Sequence, residues 1–440
     1  MAKTLRIESA SIAILLLSCQ ILLAQGGTWN TVAPMPTPLG DLAAGGVGGI
    51  LYAVGGEVPY PSPLWRPCCG FVGMLEAYDP GTDKWTAESP MPTPRGGVAA
   101  CELGGLLYVL GGIGQHDEAL PTVEVYNPKT GRWASKAPMP TARFGLAAAA
   151  VNGVLYAVGG WNPSLGFVGT VEAYNPSTNT WTPMQPMLTP RLVPAAAAVG
   201  GILFVVGGSN YSANFLATTE AYNPESNTWS TKAPMPTPRA GLAAGTIAGD
   251  LYAVGGEGEG GPPFFGLWLS TTEAYDPKTD TWRSCSPMPT ARSNLAGATV
   301  GDTFYAVGGI RLLPNATGQL LAMNEAFTPF LSVTIRVNPA TINLRSNVKI
   351  KVAILSTSLF DATSINPDTV KLSGALAETE RNGTPIFSFD DVNDDGILDL
   401  VLSFRARNLQ LTRADKQVVL KGQTFAGQLV KGVASVRIVP

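Results

Sequence analysis

Residues 391–399 hold the densest set of oxygen ligands in this chain. Asp391, Asn393, Asp395 and Asp399 stand at relative positions 1, 3, 5 and 9, with Gly396 at 6 and the Ile397 carbonyl at 7. That spacing is the oxygen-donor pattern of a Ca2+ loop, in which glycine permits the sharp turn. Position 12 is Leu402 rather than a bidentate Glu, so no full helix–loop–helix site is expected, and an Asx-rich turn without metal is the plain alternative. Other candidate chemistry is sparse. His116 is the single histidine. No Cys/His cluster has zinc spacing, and no histidine-based triad can be assembled. Glu57, Glu257 and Glu259 are candidate acids or bases. Arg95, Arg143, Arg191, Arg239 and Arg292 recur after a Pro-Met-Pro-Thr-like turn, with Leu39 in the corresponding first place. They read either as a cationic ring attracting carboxylates or phosphates, or as a repeat feature that fastens neighbouring loops.

The elements that carry these residues are announced by a repeat. A Gly-Gly doublet closes an apolar run six times, beginning at Gly55, Gly111, Gly159, Gly207, Gly255 and Gly308. Trp29, Trp85, Trp133, Trp181, Trp229 and Trp282 each precede their doublet by 26 residues. Tyr78, Tyr126, Tyr174, Tyr222, Tyr275 and Phe327 close the units, and a glutamate lies two residues before each. This pattern resembles the kelch repeat, one four-stranded propeller blade per unit, over about residues 28–330. The resemblance implies an all-β fold: a six-bladed kelch β-propeller in which the strand around Trp29 completes the sixth blade, followed by a small β-sandwich. In the third unit the four strands are expected at 144–152, 154–159, 171–174 and 180–183. Features present in every blade are expected to serve the fold, the recurrent glutamates as partners in structural pairs.

Departures from the repeat point to function. From the first glycine to the closing aromatic, the units span 23, 15, 15, 15, 20 and 19 residues. The variation falls in the loop between second and third strands, on the rim that also bears the arginine turns. Three tryptophans outside the repeat, Trp65, Trp161 and Trp268, lie in these loops with Glu57, Arg66, Asn162, Tyr211 and Glu257. Aromatics beside carboxylates and amides suit stacking on sugar rings or anchoring a protein. The expectation is therefore a non-catalytic glycan- or protein-binding face. A sugar epimerase or hydrolase on the same face is the alternative. Some kelch proteins are copper-radical sugar oxidases or sialic acid epimerases, but copper chemistry needs more histidine than His116 supplies. Neither copper nor a nucleotide is expected as cofactor.

From residue 331 the pattern changes, and so does the charge. Residues 25–330 carry 14 Lys and Arg against 21 Asp and Glu; residues 331–440 carry 13 against 10. With a net charge of −3 the chain shows no basic signature for nucleic acid. Seven strands are expected, at 333–337, 348–355, 370–372, 386–389, 398–404, 417–420 and 433–438. This part resembles a small domain found near the C-termini of secreted bacterial proteins, on the stretches Ala353-Ile354-Leu355-Ser356, Phe360-Asp361-Ala362, 389–396 and 436–440. Lys3 and Arg6 followed by an apolar run to Leu23 predict an export signal over residues 1–24. Secretion is the expected destination, lipidation at Cys19 the alternative, and surface attachment a role for the C-terminal part. No other segment is long and apolar enough to span a membrane as a helix. Cys68, Cys69, Cys101 and Cys285 permit three complete pairings, and the sequence does not choose among them.

Overall fold

The computed structural model describes residues 26–58, 70–211, 214–260, 266–313, 318–358 and 360–439. The chain divides into two compact units: one is Trp29–Thr328, and the other joins Pro329–Pro440 with the residues up to Thr28. The predicted export signal, Trp65, Arg66, Cys68 and Cys69 lie outside the described residues.

The first unit is built from six four-stranded antiparallel sheets. In the third unit of the repeat the strands are Ala147–Val151, Val154–Val158, Val171–Asn175 and Thr180–Met184, hydrogen-bonded in that order. The inner strand is all alanine up to its final valine, so inner strands can crowd together. They touch in sequence from the first sheet to the sixth, and the sixth touches the first. The second strand is the buried spine: Leu155, Ala157 and Val158 are wholly inaccessible. Its closing glycines adopt positive φ, 65° at Gly159 and 103° at Gly160. A Cβ on Gly160 would sit 2.8 Å from the Phe144 carbonyl oxygen. Only glycine meets both demands.

Two contacts recur between sheets. Each repeat tryptophan donates its indole N–H to a backbone carbonyl one repeat back, as from Trp181 to Ala137 at 2.8 Å. A second-strand aromatic meets the closing aromatic of the next sheet, as Tyr156 meets Tyr222 at 5.7 Å between ring centroids. Both contacts persist across the junction between the ends of the unit. Trp29 donates to Ser286 at 2.9 Å, and Tyr305 meets Tyr78 at 5.6 Å. The strand Thr28–Thr31 takes the outer place in the sixth sheet, beside Asn324–Thr328. That strand would otherwise present a bare edge to solvent.

The second unit has a five-stranded sheet and a four-stranded sheet. The four-stranded sheet runs Ile335–Asn338, Lys349–Ile354, Asp399–Arg405, Phe387–Asp390. Ile350, Val352, Leu400, Leu402 and Phe404 from this sheet share one core with Val370, Leu372, Val418 and Leu420 from the other. The expected strand 433–438 is two: Leu429–Ser435 pairs with Gln417–Thr424, and Arg437–Val439 pairs in parallel with Thr341–Asn343. Leu429 and Val430, both buried, carry the first of these further upstream than its alternation implied.

If the outer strand of the sixth sheet matters as the others do, Trp29→Ala and Trp181→Ala lower the thermal midpoint about equally, each by several degrees. A scanning calorimetry trace in which Trp29→Ala is neutral contradicts this role.

Candidate functional site

The recurrent arginines are not a surface ring. All five side chains are 0% exposed, and each meets the glutamate of its own sheet. The separations are 2.5 Å for Arg95–Glu124, 2.9 Å for Arg143–Glu172, 2.5 Å for Arg191–Glu220, 3.1 Å for Arg239–Glu273 and 2.5 Å for Arg292–Glu325. Each guanidinium also donates to a backbone carbonyl of the second strand or its glycine, as Arg143 Nη2 does to Ala157 at 3.1 Å. Of the two readings of these arginines, the cationic ring for carboxylate or phosphate is set aside and the structural repeat feature is kept, and they are corrected as ligand-binding candidates because their side chains are buried in ion pairs. The turn carries the arginine to the rim, but its long side chain folds inward and binds the third strand to the second. Burial pulls Arg143 and Arg239 down to about 10, against the opposing pull of their glutamates, so both stay charged at neutral pH.

The first sheet lacks this pair. Leu39 fills the arginine's place, and Glu76 remains, 5% exposed. Thr37 donates to its Oε1 at 2.9 Å, while Oε2 is buried without a partner. Desolvation raises the Glu76 carboxyl above its ordinary value, partly offset by the Thr37 hydrogen bonds.

Where the inner strands begin, six residues surround a common mouth: Asp41, Gly97, Gly145, Val193, Gly241 and Asn294. All have positive φ, between 45° and 62°. Each backbone N–H donates to the carbonyl of the one before, from Gly97 to Asp41 at 2.8 Å and onward to Asn294, and Asp41 donates to Asn294 at 3.2 Å. The left-handed conformation turns each peptide to face its neighbours. Glycine takes it freely at three places; Val193 takes it against the strain expected of a β-branched residue.

A second ring lies one step outward. Glu57, Ile113, Trp161, Ser209, Glu257 and Ile310 follow the Gly-Gly doublets and bridge to the residue just before each mouth residue, as Glu57 does to Gly40. Three predicted site residues, Glu57, Trp161 and Glu257, therefore share one repeat position. From four of the six places a small two-stranded ladder rises: Glu57–Val58 with Gly70–Phe71, Trp161–Asn162 with Gly166–Phe167, Glu257–Gly258 with Leu267–Trp268, and Ile310–Leu312 with Gly318–Leu320.

These ladders decide what each predicted side chain does. Trp161 packs on Phe144 at 5.3 Å and is half-buried. Asn162 is engaged at both ends, donating to the Ala142 carbonyl at 2.8 Å and accepting from Ser164 and Leu165. Glu257 accepts the Gly266 N–H at 2.9 Å and lies opposite Trp268 in its ladder. Tyr211 leans edge-on against Phe167, ring centroids 4.4 Å apart, yet remains 84% exposed. Among the predicted aromatics that are described, it is the most exposed.

The sequence reading passed over Asp41. It lines the mouth and is half-buried. Its carboxylate accepts no hydrogen bond from any described residue. Desolvation first, and the neighbouring Glu57 charge second, push its pKa up to about 7. The signal was present: aligned by repeat, this place holds Gly, Val or Asn elsewhere and an acid once.

In the second unit, Asp391, Asn393 and Asp395 converge. Asp391 accepts the N–H groups of Asp395 at 3.1 Å and Gly396 at 2.8 Å, and Asn393 donates to Asp395 at 2.7 Å. The Asn393 Oδ1 is buried without a partner. Asp399 is different: it is fully buried, and its two oxygens accept from Ser356 and Val392. It anchors the loop rather than facing into it. The Ile397 side chain is exposed. Among the described residues no three His, Cys, Asp or Glu side chains form a ready-made metal cage. Cys101 and Cys285 are free thiols; burial raises both, Cys285 to about 11.

Residues 41–256 match the KLHDC2/KLHL20/DRC7 Kelch-repeats domain and residues 238–289 match the Kelch motif. A stretch of 90 residues, 20% of this chain, is 38% identical to Kelch repeat and BTB domain-containing protein 12 of Danio rerio, of which it covers 14%. Another of 89 residues, 20% of this chain, is 34% identical to Kelch-like protein terF of Aspergillus terreus, of which it covers 18%. The chain thus spans under a fifth of the length of these two relatives. The solved structure of YjhT superposes with a TM-score of 0.55 at 19% identity, covering 68% of this chain and 97% of that one. The chain is all-β and contains a kelch β-propeller.

Glu76 couples stability to pH. Its folded pKa is raised, so the folded protein holds a proton over a pH range in which the unfolded chain has lost it, and stability falls as pH rises through that range. Urea midpoints between pH 5 and pH 8 therefore drop more for the wild type than for Glu76→Gln; parallel curves overturn this reading. The paired sheets respond differently. Arg143→Met costs about 3–5 kcal/mol by stranding Glu172, and adding Glu172→Leu recovers most of it in the same urea assay.

Proposed function

We propose that this chain is an exported, non-catalytic recognition protein. Its six sheets are the blades of one kelch ring, closed by the strand Thr28–Thr31. The ladder-bearing face grips a partner, a protein in the first instance and a glycan in the second. The observation that carries this reading is the set of four ladders raised around one mouth, where the repeat is most heavily modified. A rigid scaffold with variable, elevated loops is how binding surfaces are commonly built. Kelch relatives of this kind are read as protein-binding modules, which favours the protein partner. The roles of Asn162 and Glu257 as loop fasteners, rather than free acids or amides, favour binding over an epimerase or hydrolase.

The second unit is proposed as a β-sandwich that binds Ca2+ and acts as a spacer or surface attachment. Asp391, Asn393 and Asp395 would supply oxygen ligands, and the unpartnered Asn393 Oδ1 fits that chemistry, with the Ile397 carbonyl as a further donor. Asp399 would hold the loop in shape.

Peptide-display and glycan-array screens of the mature chain test the first proposal. Saturable binding is expected, weakened at least about tenfold by Tyr211→Ala at unchanged thermal midpoint. Silence on both arrays overturns it, and turnover of a bound sugar that Glu257→Gln abolishes replaces it with the enzyme reading. For the second unit, added Ca2+ raises the unfolding midpoint and chelator reverses the gain, an effect lost in Asp395→Ala. A midpoint indifferent to Ca2+ refutes the metal site.

A further inference from the structure

The mouth framed by the six left-handed residues opens into a cavity of about 100 Å³. That is room for about three waters, or for the tip of one side chain. Ten of its twelve lining residues are apolar or glycine: each mouth residue is followed by Leu, Val or Pro, and four of the six mouth residues are Gly or Val. The two exceptions, Asp41 and Asn294, are neighbours in the hydrogen-bonded ring, so their side chains break its symmetry on one side. Asn294 leans over Gly241, where a Cβ would stand 2.5 Å from its Oδ1. Asp41 accepts nothing from any described residue.

An acid held at this mouth without a donor from any described residue is costly, and the fold does not require it. The same backbone place is filled by glycine three times and by Asn294 once. The structural demand there is the left-handed conformation, which asparagine and glycine meet at least as well. The charge must be explained by something else. The next ring outward adds Glu57 and Glu257, and no Lys, Arg or His among the described residues occupies either ring. The charges around the mouth are therefore acidic, and they favour a cation there.

We propose that Asp41 is the anchor of a single-side-chain pocket that receives a basic group, the guanidinium or ammonium of an Arg or Lys on the protein partner. This rests on the reading of the ladder-bearing face as a protein-binding surface, and it adds the chemistry recognised at its centre. A cation entering the mouth supplies the donors that the Asp41 carboxylate lacks, while its aliphatic stem lies against the Leu, Val and Pro walls. Charge-assisted pairing of this kind favours arginine, whose planar fork offers two parallel donors. Asn294 stands beside the carboxylate as a neutral polar neighbour, able to accept from the same group.

The test is calorimetric titration of the intact mature chain with N-acetyl-arginine amide, and with N-acetyl-citrulline amide, which has the same shape without the charge. Saturable binding of the arginine compound and at least tenfold weaker binding of the citrulline compound are expected. Asp41→Asn is expected to abolish the difference. This variant keeps a residue that the ring already accepts at 294, and Asp41→Gly, matching Gly97 and Gly145, serves if the first is poorly folded. Lys129→Ala, exposed and outside both rings, is expected to bind the arginine compound as the wild type does. Equal binding of both compounds, no binding of either, or full binding by Asp41→Asn overturns the pocket. Loss of display-selected peptides in Tyr211→Ala with arginine binding intact separates the two proposals. The converse, peptides retained by the wild type but indifferent to Asp41, leaves the surface reading standing and removes the anchor.

Discussion

No sheet of the propeller can bury both its faces alone, and everything else in that unit follows from this. A four-stranded sheet with an apolar second strand is stable only when another sheet lies on each side. The chain meets the demand with identical contacts at every junction. The indole N–H reaches back to a carbonyl, and an aromatic of one second strand meets the closing aromatic of the next sheet. The inner strands are small because they crowd together, and the outer strands carry tryptophan because the circumference is wide. Function is then left to whatever the junctions do not consume: loops beyond the glycine doublets, and the few axial positions where the repeat is relaxed.

The buried Arg–Glu pairs are the second layer of the same logic. Each arginine fixes a turn, a second strand and a third strand at once, and the carboxylate it meets would be intolerable there by itself. The first sheet is informative because it does without. Leu39 replaces the cation with hydrocarbon, and Glu76 survives with one hydroxyl donor and a raised pKa. Two residues beyond Leu39 stands Asp41, another carboxyl whose pKa is pushed upward by burial. The turn that enters the first sheet has thus departed from its five counterparts at both positions.

Much of this was legible in the sequence, because the constraint that makes the fold is periodic. A Trp placed 26 residues before Gly-Gly, six times, fixes strand order, and unequal spacing after the glycines locates the loops that became ladders. What was not legible depends on side-chain direction. Arg143 and Glu172 were each recognised as recurrent, yet nothing in one dimension says that a rim arginine folds inward across 29 residues to meet that glutamate. The single Leu39 does not expose the linkage either, because the glutamate persists where the arginine is gone. Asn162 looked like a ligand group because it sits in a loop; it is consumed by its own turn. Asp399 fitted the Ca2+ spacing by number, while its position at the start of a buried strand turns it toward Ser356. Asp41 was hidden by the opposite effect: its neighbours in space are the same position in five other repeats, far away along the chain.

The strand Thr28–Thr31 has a consequence in time as well as in space. It is made before any of the sheets, and its partner Asn324–Thr328 is made after nearly all of them. During synthesis five sheets can assemble in order, each new one docking on the last, while the opening strand waits unpaired. Joining ends so far apart adds little chain entropy beyond what a shorter span would demand, since that cost grows only with the logarithm of loop length. The slow event is therefore the arrival of the last piece rather than the search for it. In the ring proposed above, the growing arc keeps two uncovered flanks until this strand arrives, and transiently exposed surface of that kind is what favours association between copies.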